Sequence, residues 1–279
     1  MTEYEEKKIR LKERIQVYAG EGCIVAFSGG VDSSLLLKLV CETAGKPDRS
    51  LSDTCSRIYA VTMQTRLHPV CEIEHARKVA EEIGAAHLVI PVDELEEAGI
   101  CQNPPERCYL CKKQLFTKIL HKAEELGVRN ILEGTNGDDL HVYRPGLRAI
   151  RELGVISPLA EAGFTKEEVR RLAEEYGLSV SGRPSTPCLA TRFPYGASLS
   201  YEEIQKVGQG EAYLKGFGLY NVRLRIHGDI ARIEVDPDDF PIFMRYRQEA
   251  VSYLKSLGYH YITLDLEGFR SGSMDVGTV

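Results

Sequence analysis

The stretch Ser28-Gly29-Gly30-Val31-Asp32-Ser33 decides the fold of this chain. An apolar run at 23–27 precedes it and another at 35–40 follows it, a pattern that predicts a strand, a glycine turn and a helix. Glycine lets the backbone approach an anion closely, and a helix start offers N–H groups and the positive end of the helix dipole. The hydroxyls of Ser28 and Ser33 add donors, and Asp32 is a candidate Mg²⁺ ligand. The stretch therefore predicts a polyphosphate site.

No Gly-Lys-Ser/Thr follows the two glycines, so this is not a Walker loop. The stretch resembles the PP-loop of the ATP pyrophosphatases, which split ATP between the α and β phosphates. The alternative is an ordinary tight turn between a strand and a helix. The resemblance implies that ATP and Mg²⁺ bind at residues 28–33, with Asp32 as a catalytic residue.

Composition excludes several classes of protein. The chain has 279 residues, enough for two domains, and its 43% hydrophobic and 27% charged residues are ordinary for a soluble globular protein. A net charge of −6 gives no overall basic field for nucleic acid, and no apolar run approaches the ~20 residues of a membrane span. The acidic residues 1–6 do not form a signal peptide. We therefore expect a cytoplasmic protein without nucleic-acid or membrane partners.

Strands alternate with helices in the first half of the chain. Strands are predicted at 23–27, 57–62, 87–90 and 130–133, and helices at 5–18, 33–44, 72–84 and 109–126. This alternation predicts an α/β fold with a doubly wound parallel sheet, whose ligands lie at the carboxyl ends of the strands. We expect the loops 28–33, 62–66 and 134–139 to converge there. The ATP site accordingly includes Thr62, Gly134, Thr135 and Asp138, the last as a second metal candidate.

A different pattern begins after residue 182. Thr165-Lys166-Glu167-Glu168 is a capping box that predicts a helix to Tyr176, and residues 181–198 read as a long loop or hinge. Beyond it we predict helices at 200–216 and 238–257 and strands at 221–227, 230–235 and 259–266. The chain is therefore expected to contain a first domain, 1–182, and a smaller α+β substrate-binding domain, 183–279.

Cys108 and Cys111 form a C-x-x-C pair at the start of a predicted helix, whose positive end favours thiolates. Such a pair can be redox active, bind zinc, bind an iron–sulfur cluster, or consist of two incidental buried thiols. Zinc would need further ligands, and the candidates are Cys71, Cys101 and Cys188.

The other cysteines divide by their surroundings. Cys188 lies in a proline-rich loop where Arg183 and Arg192 favour a thiolate, so it is either a reactive or a structural cysteine. Cys23 and Cys41 lie on apolar faces and are predicted to belong to the core. No role is assigned to Cys55, Cys71 or Cys101.

Seven motifs stand in order along nearly the whole chain. They are residues 28–33, Asn103-Pro-Pro-Glu-Arg-Cys-Tyr109, Glu133-Gly-Thr-Asn136, Arg144-Pro-Gly146, Pro187-Cys-Leu-Ala190, His227-Gly-Asp-Ile-Ala-Arg-Ile-Glu234 and Asp265-Leu-Glu-Gly-Phe-Arg-Ser-Gly-Ser273. Together they resemble one PP-loop family, the ATP-dependent sulfur transferases that thiolate pyridinium-3,5-biscarboxylic acid mononucleotide. The product of these enzymes is a precursor of the nickel-pincer cofactor of lactate racemase.

The resemblance implies a two-step reaction. A substrate carboxylate attacks the α-phosphate of ATP, pyrophosphate leaves, and sulfur then displaces AMP to give a thiocarboxylate. In some members the cysteine matching Cys188 gives up its own sulfur and becomes dehydroalanine. In others, cysteines matching Cys108, Cys111 and Cys188 hold a [4Fe-4S] cluster whose open iron carries sulfide. All three are present here, so we expect the cluster type, supplied by sulfide or a sulfur donor protein, in a homo-oligomer such as a hexamer.

The C-terminal charges suit a small phosphorylated pyridinium dicarboxylate. Arg223 and Arg225 alternate on one predicted strand and share a face, and guanidinium groups bind phosphate through paired hydrogen bonds. The resemblance implies that Arg223, Arg225 and Arg270 contact the substrate phosphate. The resemblance also implies that Glu211 and Glu234 lie nearby and hold a metal or an arginine, and we add Arg192 to this site. Solvated salt bridges are the alternative.

Three other functions compete with this one. A tRNA thiolase would generally show a more basic surface and an RNA-binding element, and a glutamine-dependent synthetase would need an amidase domain or partner. A nucleotide-binding iron–sulfur sensor without turnover belongs to a different class. Release of pyrophosphate that depends on the dicarboxylate separates the enzyme from the sensor.

Overall fold

The computed structural model describes residues 1–44, 57–69, 71–142, 144–184, 186–270 and 272–274. Cys55 and the polar stretch 45–56 lie outside the described residues. The chain divides into two compact units, Met1–Arg66, Val70–Ala98 and Glu106–Ser185 for the first and Leu67–Pro69, Gly99–Pro105 and Thr186–Val279 for the second. The second unit takes in the short segments 67–69 and 99–105, which a boundary at 182/183 assigns to the first domain.

The first unit alternates strands and helices as the apolar pattern predicts. Its strands are β1 (Cys23–Ala26), β2 (Ile58–Gln64), β3 (Ala86–Pro91) and β4 (Asn130–Leu132). Its helices are α1 (Glu3–Glu21), α2 (Val31–Thr43), α3 (Cys71–Ile83), α4 (Glu94–Glu97), α5 (Arg107–Leu126), α6 (Gly146–Glu152), α7 (Pro158–Glu161) and α8 (Lys166–Glu175). The capping box of Thr165 and Glu168 is present at the start of α8.

These four strands form a parallel sheet in the order β3-β2-β1-β4. Alternate residues of a strand face opposite sides of a sheet, and both sides are buried here. Cys23 and Val25 of β1 pack into a core built with α1, α2, α3 and α8, while Ile24 packs into a second core with α5 and α6. The prediction of a doubly wound parallel sheet is confirmed.

The second unit contains a three-stranded sheet, β5 (Val222–His227), β6 (Ile230–Val235) and β7 (Tyr261–Leu264), with helices α9 (Tyr201–Lys215), α10 (Phe240–Arg245) and α11 (Arg247–Ser256). β5 and β6 are antiparallel, with Arg223 opposite Glu234, and β6 and β7 are parallel. Helix α9 packs closely on β5, because a Cβ on Gly210 would lie 2.8 Å from Leu224 Cδ2.

The prediction of one helix over 238–257 is wrong. Two helices cover this stretch, and they meet at Tyr246. The Tyr246 N–H donates to the carbonyl of Phe243 instead of the residue four positions back, which closes α10 with a tight turn. The Tyr246 ring stacks on Phe217 with centroids 4.6 Å apart, so a tertiary contact accompanies the break.

Candidate active site

The loop at residues 28–33 is held together by its own hydroxyls. Ser28 Oγ and Ser33 Oγ are 3.1 Å apart, and Ser33 Oγ donates to the Gly30 carbonyl at 3.2 Å. The Gly30 N–H donates to Ser28 Oγ at 3.3 Å. No side chain of the described residues caps α2 at Gly30, so the N-terminal N–H groups of α2 are available to an anion.

The loops after β1 and β4 meet at the carboxyl ends of the strands, and residues 62–64 of the predicted loop 62–66 belong to β2. A Cβ on Gly134 would lie 2.9 Å from the backbone N of Ser33, so only glycine allows the loop after β4 to come this close to the start of α2. Thr62 Oγ1 donates to the Phe27 carbonyl at 2.6 Å, which ties the end of β2 to the loop after β1. The loops after β1 and β4 and the end of β2 thus converge on one edge of the sheet.

Asp32 is the acidic centre of this edge. Its Oδ1 accepts from Asn136 Nδ2 at 3.1 Å, and its Oδ2 forms an ion pair with the Lys166 ammonium. The Asp32 side chain is 21% exposed, so its carboxylate remains accessible. Asp138 is exposed, and its Oδ2 accepts from the Lys166 N–H at 2.8 Å. Carboxylate oxygens are the ligands that Mg²⁺ prefers, so the donors present fit the predicted metal.

Two of the predicted ATP-site hydroxyls are committed to protein partners. Thr135 donates to buried Glu133 through its N–H at 3.0 Å and its hydroxyl at 2.8 Å, and the Ser157 hydroxyl donates to the same carboxylate. The Thr62 hydroxyl donates to the Phe27 carbonyl, so it accepts from His87 Nε2, which lies 2.8 Å away. Thr62 and Thr135 therefore shape the edge of the sheet, because their hydroxyls are used in contacts within the protein.

The cysteines of the first unit fall into two groups. Cys108, at the second position of α5, is exposed, and Cys111 lies one turn later and is partly exposed. Arg107 Nη2 donates to Cys108 Sγ at 3.7 Å. Burial raises the pKa of Cys23 to about 12 and that of Cys41 to about 11, so these two are inert core thiols, as predicted. Within either unit, the described residues contain no group of three His, Cys, Asp or Glu side chains arranged to hold a metal ion.

Cys188 is held in the second unit by a short turn that two arginines support. Thr191 Oγ1 donates to the Cys188 carbonyl at 2.7 Å, and Arg192 Nη1 donates to Thr191 Oγ1 at 2.6 Å. Arg225 Nη1 donates to the Thr191 carbonyl at 3.1 Å. The partly exposed cysteine therefore sits on a backbone that guanidinium groups hold in place.

The same two arginines belong to buried ion pairs. Arg192 Nε is 2.7 Å from Glu211 Oε1, and Arg225 Nη2 is 3.0 Å from Glu234 Oε2, with all four side chains at most 7% exposed. Their charges are therefore compensated within the protein. In the first unit, Arg183 pairs with Glu72 of α3 at 2.9 Å.

Arg223 differs from its neighbours on the sheet. It stands opposite Glu234 in register, but the Glu234 oxygens already accept from Arg225, Arg232 and Ser273. The Arg223 guanidinium donates instead to the Val222 carbonyl at 2.8 Å and lies 5.0 Å from the Phe269 ring centroid. Burial, together with the charges of Arg192 and Arg225, lowers the pKa of Arg223. A bound anion would relieve this repulsion, so Arg223 is the best anion-binding candidate of the second unit.

Arg270 lies on the same unit with two acidic partners. Its Nη2 is 3.1 Å from Asp265 Oδ2, and its Nη1 pairs with Glu267. Its side chain is 39% exposed, so it can exchange these partners for a ligand more readily than the buried pairs can.

Comparison with known proteins decides the family. The chain is 38% identical over 251 residues to the pyridinium-3,5-bisthiocarboxylic acid mononucleotide synthase of Lactiplantibacillus plantarum, a match that covers 90% of this chain and 88% of the relative. The chain belongs to this synthase family. The family's members are PP-loop ATP-dependent sulfur transferases, and the enzyme class expected from the sequence is thereby confirmed.

Other matches place the synthase family among its relatives. The family model of NAD synthases matches residues 3–114, which include the phosphate loop. An uncharacterized protein of Synechocystis is 36% identical over 94% of this chain and 96% of its own length. A tRNA-specific 2-thiouridylase of Rickettsia bellii is 25% identical over 58% of this chain and 52% of its own length. None of the described helices has the length and apolarity to cross a membrane.

Sequence reasoning missed Lys166 and Asn136, which lie at the phosphate loop. Asn136 was part of a motif, but nothing in the motif says which residue its amide contacts. The capping box places Lys166 at the first position of α8, but it does not indicate what the Lys166 side chain contacts. The carboxylate of Asp32 brings both residues to the site.

Proposed function

We propose that this synthase adenylates a carboxylate of pyridinium-3,5-biscarboxylic acid mononucleotide with ATP and then replaces AMP with sulfur. The observation that carries the proposal is the accessible Asp32 carboxylate, held by Lys166 and Asn136 beside the uncapped start of α2. The 38% identity to a synthase named for the bisthiocarboxylic acid product supports the choice of substrate.

In the first step, a substrate carboxylate oxygen attacks the α-phosphorus of ATP and the bond to the β-phosphate oxygen breaks. The loop's N–H groups and the Ser28 and Ser33 hydroxyls would bind the leaving pyrophosphate, and Lys166 would add a positive charge. Mg²⁺ held by Asp32, with Asp138 as a second candidate ligand, would supply further charge compensation when bound. Such a reaction depends on positioning and electrostatics rather than on covalent participation of the protein.

In the second step, sulfur attacks the acyl carbon and AMP leaves, which gives the thiocarboxylate. Cys108, Cys111 and Cys188 are the thiols we assign to sulfur handling, since thiolates suit iron–sulfur ligation and the first two are accessible one turn apart. A [4Fe-4S] cluster on three cysteines would leave one iron open to carry a sulfide. The alternative in which Cys188 donates its own sulfur uses the same turn at 188–192.

The substrate's phosphate and carboxylates are assigned to the sheet of the second unit. In the group of Arg192, Arg223, Arg225, Glu211 and Glu234, three guanidinium groups against two carboxylates leave one positive charge in excess. Arg223 and Arg270 are the residues we assign to direct contact. Arg192 and Arg225 would contribute by holding the turn of Cys188.

The proposed function is tested by pyrophosphate release. Purified protein with Mg²⁺ and ATP is expected to release pyrophosphate only when the dicarboxylate mononucleotide is present, and with sulfide to form a product in which sulfur replaces oxygen, detected by mass spectrometry. ATP that binds without being cleaved under these conditions would favour a sensor. Formation of a thiolated base in bulk tRNA would favour the activity for which the Rickettsia relative is named.

Arg223→Gln is expected to raise the KM for the dicarboxylate mononucleotide by at least about tenfold, because a charge-assisted hydrogen bond to its phosphate is lost. The Kd of ATP should stay unchanged. Arg247→Gln, which removes an exposed arginine from α11, is the matched control and should leave both constants unchanged. An unchanged KM in the Arg223 variant would remove this residue from the substrate site.

A further inference from the structure

A histidine outside all the motifs contacts the phosphate loop. His75 is the fifth residue of α3, and its Nε2 lies 3.2 Å from the carbonyl oxygen of Gly29. A carbonyl oxygen only accepts hydrogen bonds, so Nε2 must carry the proton and donate it. Burial, aided by the charge of Arg183, lowers the pKa of His75, which keeps the ring neutral with this single tautomer.

Helix α3 presses directly against the loop at this point. Gly29 has a φ of +73°, and a Cβ there would lie 2.9 Å from Ala76 Cα. The start of α3 is fixed in turn, because both carboxylate oxygens of Glu72 accept from Arg183 Nη2 at 2.9 Å. His75 therefore donates from a helix whose start is fixed, and the residue that accepts lies at a position where only glycine fits.

The geometry of the peptide bond gives this contact a consequence for ligand binding. In a trans peptide, the carbonyl of residue 29 and the N–H of residue 30 point in opposite directions. His75 holds the Gly29 carbonyl toward α3, so the Gly30 N–H must point away from α3, to the side where it donates to Ser28 Oγ. A peptide between two glycines has little steric resistance to turning over, so a donor on the carbonyl is an effective way to fix its direction.

We propose that His75 is a positioning residue: it holds the Gly29–Gly30 peptide so that the Gly30 N–H, which donates to Ser28 Oγ in this structure, lies on the side of the loop where the terminal phosphates of ATP and the pyrophosphate product would bind. The inference rests on the proposed function only in that ATP binds at residues 28–33. His75 does not touch the ligand; it determines whether one of the loop's donors faces it. Binding of the pyrophosphate portion should therefore depend on His75, while binding of the AMP portion should not.

The test compares three variants of the full chain by isothermal titration calorimetry with Mg²⁺–pyrophosphate, Mg²⁺–ATP and AMP. His75→Phe keeps a ring of similar size without a donor, and it should weaken pyrophosphate and ATP binding about tenfold, the value of one hydrogen bond at the upper end of its net range, with AMP unchanged. His75→Gln keeps an amide donor and should restore binding to within about threefold of the wild type. His121→Phe, on the exposed face of α5, is the matched control and should change nothing.

The inference is overturned if His75→Phe binds pyrophosphate as the wild type does, if it weakens AMP binding equally, or if His75→Gln behaves like His75→Phe. The first result removes the hydrogen bond from ligand binding, and the other two assign His75 to packing of α3. If His75→Phe does not fold, His75→Gln and His75→Leu provide the same comparison. Failure of the proposed function gives a different result, since the wild type would then bind ATP without releasing pyrophosphate when the dicarboxylate is present, and the effect of His75 on binding would be unaffected.

Discussion

Asp32→Asn is expected to lower the rate of pyrophosphate release by about 100-fold or more. The amide retains the shape of the side chain, and its single carbonyl oxygen can accept from either Lys166 or Asn136, so the loop should lose at most one of these two hydrogen bonds. What the variant loses is the negative charge that a Mg²⁺ ion needs at this edge of the sheet. The effect should therefore appear in catalysis and in metal binding, and little in stability.

The measurement is pyrophosphate release under saturating ATP and dicarboxylate, with thermal unfolding of each variant alongside. Glu42→Gln makes the same carboxylate-to-amide change on the same helix, at the last turn of α2, where Glu42 pairs with Lys38 at 3.0 Å on the surface. This control should retain the wild-type rate. If the Asp32 variant keeps that rate as the control does, Asp32 is not the metal ligand. If the Asp32 variant loses its fold, the contacts of Asp32 with Lys166 and Asn136 maintain the loop, and the loss of activity does not report on the metal.

Local patterns of sequence were sufficient to predict the phosphate loop. The strand, the two glycines and the start of α2 lie within about a dozen residues, and their hydrogen bonds are short-range, so the motif contains its own structure. The parallel sheet could be predicted because short apolar runs, typical of strands, alternate with segments whose apolar residues have helical spacing. Strands that are apolar throughout need helices on both faces of their sheet, as the two cores show.

The contacts that complete the site join residues far apart in the chain. Asp32 meets Lys166 and Asn136 only because β4 and α8 are placed beside β1 by the core. The need for glycine at Gly134 comes from its contact with the start of α2, which the sequence around residue 134 does not indicate. Such long-range contacts depend on how the elements pack, and no local sequence pattern predicts them.

The arginines show a second limit of sequence reasoning. Alternation correctly placed Arg223 and Arg225 on one face of β5, but their different roles depend on which carboxylate each one meets. Arg225 pairs with Glu234 on the neighbouring strand, and Arg192 pairs with Glu211 on α9. Charge counting cannot separate a paired guanidinium from one that is available to a ligand, whereas burial and partners can.

Cys188→Ser is expected to abolish thiocarboxylate formation while pyrophosphate release continues. Serine preserves the size of the side chain and the turn that Thr191 and Arg192 support, but its hydroxyl neither ligates iron well nor gives up sulfur. The two half-reactions should therefore separate, with adenylate formed and the thiolated product absent. Cys71→Ser, which changes an exposed thiol at the start of α3, is the matched control and should leave both half-reactions intact.

Cys108→Ala then distinguishes the two routes for sulfur. If a cluster carries the sulfur, anaerobically purified wild type should contain about four irons per chain, and the Cys108 variant should lose both the iron and the thiolated product. If Cys188 is consumed, the Cys108 variant should still form one product per chain, and the mass of Cys188 should fall by one H₂S. A Cys188→Ser variant that still makes thiocarboxylate would contradict both routes, since each of them requires the sulfur atom of this residue.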